Sequence, residues 1–118
     1  MVELLLGAGA DVNAREGYFG TALQAASSGG HEKVVELLLG AGADVKAREG
    51  YFGTALQAAS YGGHEKVVEL LLGEGADVNA QGGGEYGNAL QLASYAGHEK
   101  VVELLLGAGA DEIGRAHD

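Results

Sequence analysis

DVNAREGYFGTALQAASSGGHEKVVELLLGAGA, residues 11–43, is followed at once by DVKAREGYFGTALQAASYGGHEKVVELLLGEGA, residues 44–76. Both stretches are 33 residues long, and they differ only at Asn13 against Lys46, Ser28 against Tyr61 and Ala41 against Glu74. A third copy at 77–110 has 34 residues, the extra one falling within Gly82-Gly83-Gly84, and carries Asn88 for Thr, Leu92 for Ala and Ala96 for Gly. Residues 1–10 match the end of a unit and 111–118 begin another, so one domain of three full repeats and two partial ones accounts for all 118 residues. Self-similarity at such a period is the mark of a stacked array in which each unit lacks a core of its own.

Within a unit, Val34-Val35-Glu36-Leu37-Leu38-Leu39 and its copies at 67–72 and 101–106 show an apolar stripe at helical spacing. Gly40, Gly73 and Gly107 are expected to stop that helix. The preceding Thr21-Ala22-Leu23-Gln24-Ala25-Ala26-Ser27 reads as a shorter helix opened by a capping box, Thr and Gln three apart, and Asn88 with Gln91 repeats it. Helices of roughly eight residues are marginal alone, since isolated helices under about 12 residues do not persist in water. Stacking must therefore stabilise them. The 14 residues from Gly40 to Gly53 are too long for a structureless link in a compact domain and are expected to form a hairpin-like finger.

The period of 33, the two short helices, the Gly-His before the second and the Leu-Leu-Leu-x-x-Gly-Ala-Asp-Val-Asn ending resemble ankyrin repeats over nearly the whole chain. The resemblance implies an all-α solenoid of stacked helix-turn-helix units with finger-like loops, acting in protein–protein recognition. The family's Thr-Pro-Leu-His is replaced by Thr21-Ala22-Leu23-Gln24, Thr54-Ala55-Leu56-Gln57 and Asn88-Ala89-Leu90-Gln91. Ala in place of Pro removes a favourable first-turn residue but is the best helix former, so the helix start is expected to fray without being lost, and losing His to remove a polar anchor. The wording around Tyr61 and Tyr95 is similar to C-terminal arrays of fungal NACHT-type receptors. Copies so alike also fit recent amplification or a consensus design built on such an array.

Composition narrows the chemistry. Seventeen acidic against seven basic residues, a net charge of −10, disfavour nucleic acid, whose binding rests on Lys and Arg clusters. With 47% hydrophobic residues the chain can bury a core, no apolar run reaches the ~20 residues of a membrane span, and no Cys supplies a thiolate or disulfide. The opening Met1-Val2-Glu3 has no signal-peptide pattern, so cytosol or nucleus is expected.

His31-Glu32-Lys33-Val34-Val35 begins like a zinc-protease helix but has Val where the second His belongs, and the copies from His64 and His98 fail alike. Equivalent His residues a repeat apart, with stacked helices ~8–10 Å apart, cannot share an ion whose ligands sit ~2 Å away. The resemblance instead places them at the mouth of the second helix, orienting the turn. Gly40-Ala41-Gly42-Ala43-Asp44 follows a helix rather than a strand and is no phosphate loop. No catalytic set, metal or cofactor is called for. Lys33 and Glu36, with their copies, are three apart on a solvated face.

All seven aromatics lie outside the leucine-rich helix: Tyr18, Phe19, Tyr51, Phe52 and Tyr86 in the fingers, Tyr61 and Tyr95 at the end of the first helix. The family resemblance puts these positions along a concave, partner-gripping surface, where Tyr is a favoured anchor. The alternative is that the rings brace the fingers by stacking on one another. Arg15, Lys46, Arg48 and Glu49 would tune partner charge. The expected function is a non-enzymatic scaffold that binds another protein on its groove and fingers. The competing reading is a self-associating structural or engineered scaffold with incompletely capped ends and no native ligand.

Overall fold

The computed structural model describes residues 11–15, 20–48, 53–81 and 87–110. They form three helix pairs: α1 (Ala22–Gly29) with α2 (Glu32–Gly40), α3 (Ala55–Gly62) with α4 (Glu65–Gly73), and α5 (Ala89–Ala96) with α6 (Glu99–Gly107). Among the described residues there is no strand, only isolated bridge positions at Gly20 and Gly53. The fold is an all-α solenoid of helix-turn-helix units. First helices pack on first helices, α1 on α3 on α5, and second helices on second helices, α2 on α4 on α6.

The short first helices start where the capping box closes. Thr21 Oγ1 accepts from the Gln24 N–H at 3.2 Å while Gln24 Oε1 accepts from the Thr21 N–H at 2.8 Å. Thr54 with Gln57 and Asn88 with Gln91 form the same reciprocal pair. Two of the orphan donors at each helix start are thus satisfied. Ala22, Ala55 and Ala89 are helical from the first position, so the start expected to fray in the absence of Pro is closed by the box.

The expectation that losing His deletes a polar anchor is also corrected. The side-chain amide of Gln24 donates to the Gly53 carbonyl, and that of Gln57 to the Gly87 carbonyl. One residue therefore caps its own helix with its oxygen and ties its pair to the next with its nitrogen. Gln24 and Gln57 are buried as a result.

The second helices end at the expected glycines, but those glycines do not themselves make the left-handed turn. Gly40, Gly73 and Gly107 are still helical, and the left-handed turn falls two residues on, at Gly42 with φ 94° and its equivalents. The intervening Ala41 N–H still reaches the Leu37 and Leu38 carbonyls at 3.0 and 3.1 Å, and the Ala43 N–H returns to the Leu38 carbonyl at 3.0 Å. Only after these last carbonyls are used does the chain need a residue without Cβ. The fingers begin there as tight turns, with the Lys46 N–H on Asp44 Oδ1 at 3.0 Å and the Ala47 N–H on the Asp44 carbonyl at 3.2 Å. Of the predicted finger, residues 41–48 show these turns and 49–52 lie outside the described residues.

The core runs along the stack rather than around a centre. Leu23 and Leu56 of the first helices and Val35, Val67, Val68, Leu71, Val101 and Leu105 of the second are each at most 1% exposed. Small residues close the first-helix layer: Ala55, Ala58, Ala59, Ala89 and Ala93 are buried to 2% exposure or less. Their missing bulk lets the first helices pack tightly.

Candidate interaction surface

Ser28, Tyr61 and Tyr95 occupy one position in successive first helices and form a column down the stack. Tyr61 is 37% exposed and Tyr95 64%. The backbone at Ser28 and at Tyr61 is held from the next repeat. His64 Nε2 lies 3.0 Å from the Ser28 carbonyl oxygen, and His98 Nε2 lies 2.9 Å from that of Tyr61. A carbonyl only accepts, so each Nε2 carries the proton and donates.

The three His residues stand at the mouths of α2, α4 and α6 but give their helices no side-chain cap. Glu32, Glu65 and Glu99 instead meet the positive helix ends. His64 and His98 are thus links between repeats, a role that their sequence position only half discloses. Among the described residues no group of three or more His, Cys, Asp or Glu side chains is placed to hold a metal ion.

The fingers contribute charge. Arg15 reaches Asp44 of the next finger at 4.0 Å, with both side chains 48% exposed, a geometry worth less than about 1 kcal/mol. Arg48 and Lys46 are exposed on the second finger. Structure thus brings Tyr61 and Tyr95 into one column and Arg15 against Asp44. Tyr18, Phe19, Tyr51, Phe52 and Tyr86, together with Glu49, lie outside the described residues. On the second helices Glu32, Lys33, Glu36 and their copies are exposed, and Lys100 meets Glu103 at 4.0 Å, a solvated i,i+3 pair.

Sequence reasoning misses a third kind of link. Asn13 Oδ1 accepts from the Asp44 N–H at 2.8 Å and Asn13 Nδ2 donates to the Gly42 carbonyl at 3.4 Å, tying finger to finger. The signal is present in the Asn13-to-Lys46 difference, which on the sequence alone reads as a change of charge. A groove of about 570 Å³ on the last repeat is missed as well; it is lined by Leu90, Gln91, Ser94, Tyr95, Val102 and Leu106. Tyr95 therefore borders this groove as well as the column.

With two-helix units, cross-repeat Gln and His links and left-handed turns all in register, the comparison with known families is decisive: a family model described as ankyrin repeats (3 copies) matches residues 1–82 and 52–115. The chain belongs to the ankyrin-repeat family. A search of curated proteins found no match to it. Ankyrin repeats are generally protein–protein interaction modules and typically non-catalytic. No helix among the described residues of this ankyrin stack is long and apolar enough to cross a membrane.

Proposed function

We propose that this ankyrin stack is a non-enzymatic scaffold that grips a partner protein along its groove and fingers, with Tyr61 and Tyr95 as the anchors. The observation that carries this reading is the column itself: two exposed tyrosines on first helices, the Tyr61 backbone pinned by His98. A ring held on a rigid helix loses little freedom on binding, and Tyr offers an apolar face with a polar tip. Arg15, Arg48 and Lys46 set the charge of the adjoining fingers, and Tyr18, Phe19, Tyr51, Phe52 and Tyr86 extend the surface. Neither cofactor nor metal enters this mechanism. A cytosolic or nuclear setting suits it, within one domain of full repeats at 11–43, 44–76 and 77–110. The repeat wording supports an origin in arrays like those of fungal NACHT-type receptors or a consensus design based on them.

The test is quantitative capture by the immobilised chain against a Tyr51→Ser, Tyr61→Ser, Tyr95→Ser variant with unchanged far-UV circular dichroism. Loss of captured proteins by the variant supports the reading. Equal capture by both overturns it.

The end groove favours a second reading, in which the chain associates with itself through its ends.

A further inference from the structure

We infer that the partner gripped by Tyr61 and Tyr95 is an extended segment carrying arginines three residues apart, each seated on one tyrosine beside the glutamates that open the second helices. The inference rests on the tyrosine-anchor reading and names the chemistry of its partner.

The middle repeat leaves a ligand little else to hold. Of the eight residues of α3, those from Ala55 to Ser60 are buried and only Tyr61 and Gly62 are exposed. A segment lying across the first helices therefore meets one side chain from this repeat, a tyrosine ring. It meets no charge there, because α1, α3 and α5 contain no Asp, Glu, Lys or Arg. Whatever charge adds to recognition comes from the residues that border the column.

The histidine links fix that border. His98 lays its Nε2 2.9 Å from the Tyr61 carbonyl, so Glu99, the next residue and the first of α6, stands beside the Tyr61 backbone. On the other side Glu65 opens α4 four residues after Tyr61, across a turn that closes with the His64 N–H on the Ala59 carbonyl at 3.1 Å. Tyr61 thus lies between the mouths of two second helices, and each mouth carries an exposed glutamate. Tyr95 has Glu99 in the relation that Tyr61 has to Glu65. Among the described residues Glu65 and Glu99 form no ion pair. Lys66 and Lys100 follow them and are exposed as well, but each second helix sets two exposed glutamates against one lysine. Lys100 turns to Glu103, 4.0 Å away and a turn deeper in α6.

An aromatic face edged by carboxylates suits a cation, and it discriminates between cations. A guanidinium is planar, stacks on a tyrosine ring and presents a fork of N–H donors to the carboxylates at its edge, whereas an ammonium is a strongly hydrated point charge. Spacing follows from the stack. Packed helices lie ~8–10 Å apart, and a polyproline-type segment rises about 3.1 Å per residue with three residues per turn. Side chains three apart on it share one face about 9 Å apart, which matches successive tyrosines. Ser28 holds the column position in the first repeat, so the rail of rings seats two arginines, on Tyr61 and on Tyr95. The net charge of −10 draws such a segment in from a distance and makes the contact weaken with salt.

The probe is a labelled peptide of four Arg-Pro-Pro triplets, titrated with the full chain at low salt and read by fluorescence anisotropy. Two controls of equal charge replace every arginine by lysine, or separate the arginines by three prolines instead of two. The triplet peptide is expected to bind about tenfold tighter than either control. Glu65→Gln with Glu99→Gln, and separately Tyr61→Leu with Tyr95→Leu, are each expected to weaken it about tenfold. Glu36→Gln with Glu74→Gln removes the same charge from exposed positions at neither mouth and is expected to change it less than about twofold. Far-UV circular dichroism checks that each variant keeps its fold. A triplet peptide that fails to bind, or binds no tighter than the lysine or the wider-spaced control, overturns the arginine chemistry. Full-strength binding by the Glu65, Glu99 variant overturns it as well, and so does an equal loss in the Glu36, Glu74 variant. These results leave the tyrosine anchors standing, since that reading fails only when the Tyr51→Ser, Tyr61→Ser, Tyr95→Ser chain captures as much as the parent. Triplet binding that survives the loss of both rings overturns this inference whatever the capture shows.

Discussion

Asn13 Oδ1 accepts the backbone N–H of Asp44 at 2.8 Å, so the first finger is fastened to the second by a side chain that the second finger does not possess. Its counterpart is Lys46, an ammonium that can donate to the Gly75 carbonyl but cannot accept the Asp77 N–H. The Lys46→Asn variant is accordingly expected to gain stability, by about 0.5–1.5 kcal/mol, the usual net worth of a protein hydrogen bond. Asn13→Ala is expected to lose a similar amount. Urea melts of the two variants against the parent check both signs, and a Lys46→Asn chain no more stable than the parent would show that the bridge does not transfer.

The two buried glutamines make a sharper pair with the exposed one. Gln57→Ala removes a capping interaction and leaves the Gly87 carbonyl without its donor in a buried junction, two losses of about 1–2 kcal/mol each. Gln91→Ala removes a cap alone, about 1 kcal/mol. Denaturant midpoints should therefore rank Gln91→Ala well above Gln57→Ala. Equal losses would mean that the inter-repeat bond contributes nothing.

What is legible in the sequence is what the chain decides within a few residues. Thr21 and Gln24 lie three apart, so the box and the helix start follow from local spacing, and the Val and Leu stripe of α2 discloses its buried face. Links between repeats are not legible in that way. Asn13 and Asp44 are 31 positions apart, and Gln57 and Gly87 are 30 apart; only the stacking distance brings them together. Gly40 misleads because a glycine ending a leucine run looks like the left-handed turn itself, whereas it is the last helical residue: the Leu37 and Leu38 carbonyls still accept from the Ala41 N–H, and the left-handed residue is Gly42. The column of Tyr61 and Tyr95 is legible by position, but the His98 bond beneath Tyr61 depends on the neighbouring unit.

Ser27 and Ser60 present an opposite case, since each is fully buried and its hydroxyl has no hydrogen-bond partner among the described residues. A buried hydroxyl left unpaired costs roughly 1–3 kcal/mol, and Ala is also the better helix former. Ser60→Ala should raise the thermal midpoint, while Ser94→Ala, on the exposed counterpart, should move it far less. Calorimetric scans of the two variants decide between them, and a destabilised Ser60→Ala would reveal a hydroxyl bond in solution.

Gly30 and Gly97 share one backbone conformation and differ in what stands over them. Their φ angles are 73° and 80°, so an alanine at either site enters the left-handed region at a cost of about 1 kcal/mol. Over Gly30 the new methyl would also strike the His64 ring, whose Nε2 holds the Ser28 carbonyl at 3.0 Å. Over Gly97 it meets nothing within 4 Å among the described residues. Gly97→Ala should therefore cost about the backbone term alone, and Gly30→Ala that term plus a displaced imidazole and a lost hydrogen bond, about 2–4 kcal/mol together. Equilibrium unfolding supplies the two values, and His64→Ala in the Gly30→Ala background separates the terms: with the ring gone, the clash disappears and the two substitutions should fall short of additive. Full additivity would show that the ring and the glycine do not meet.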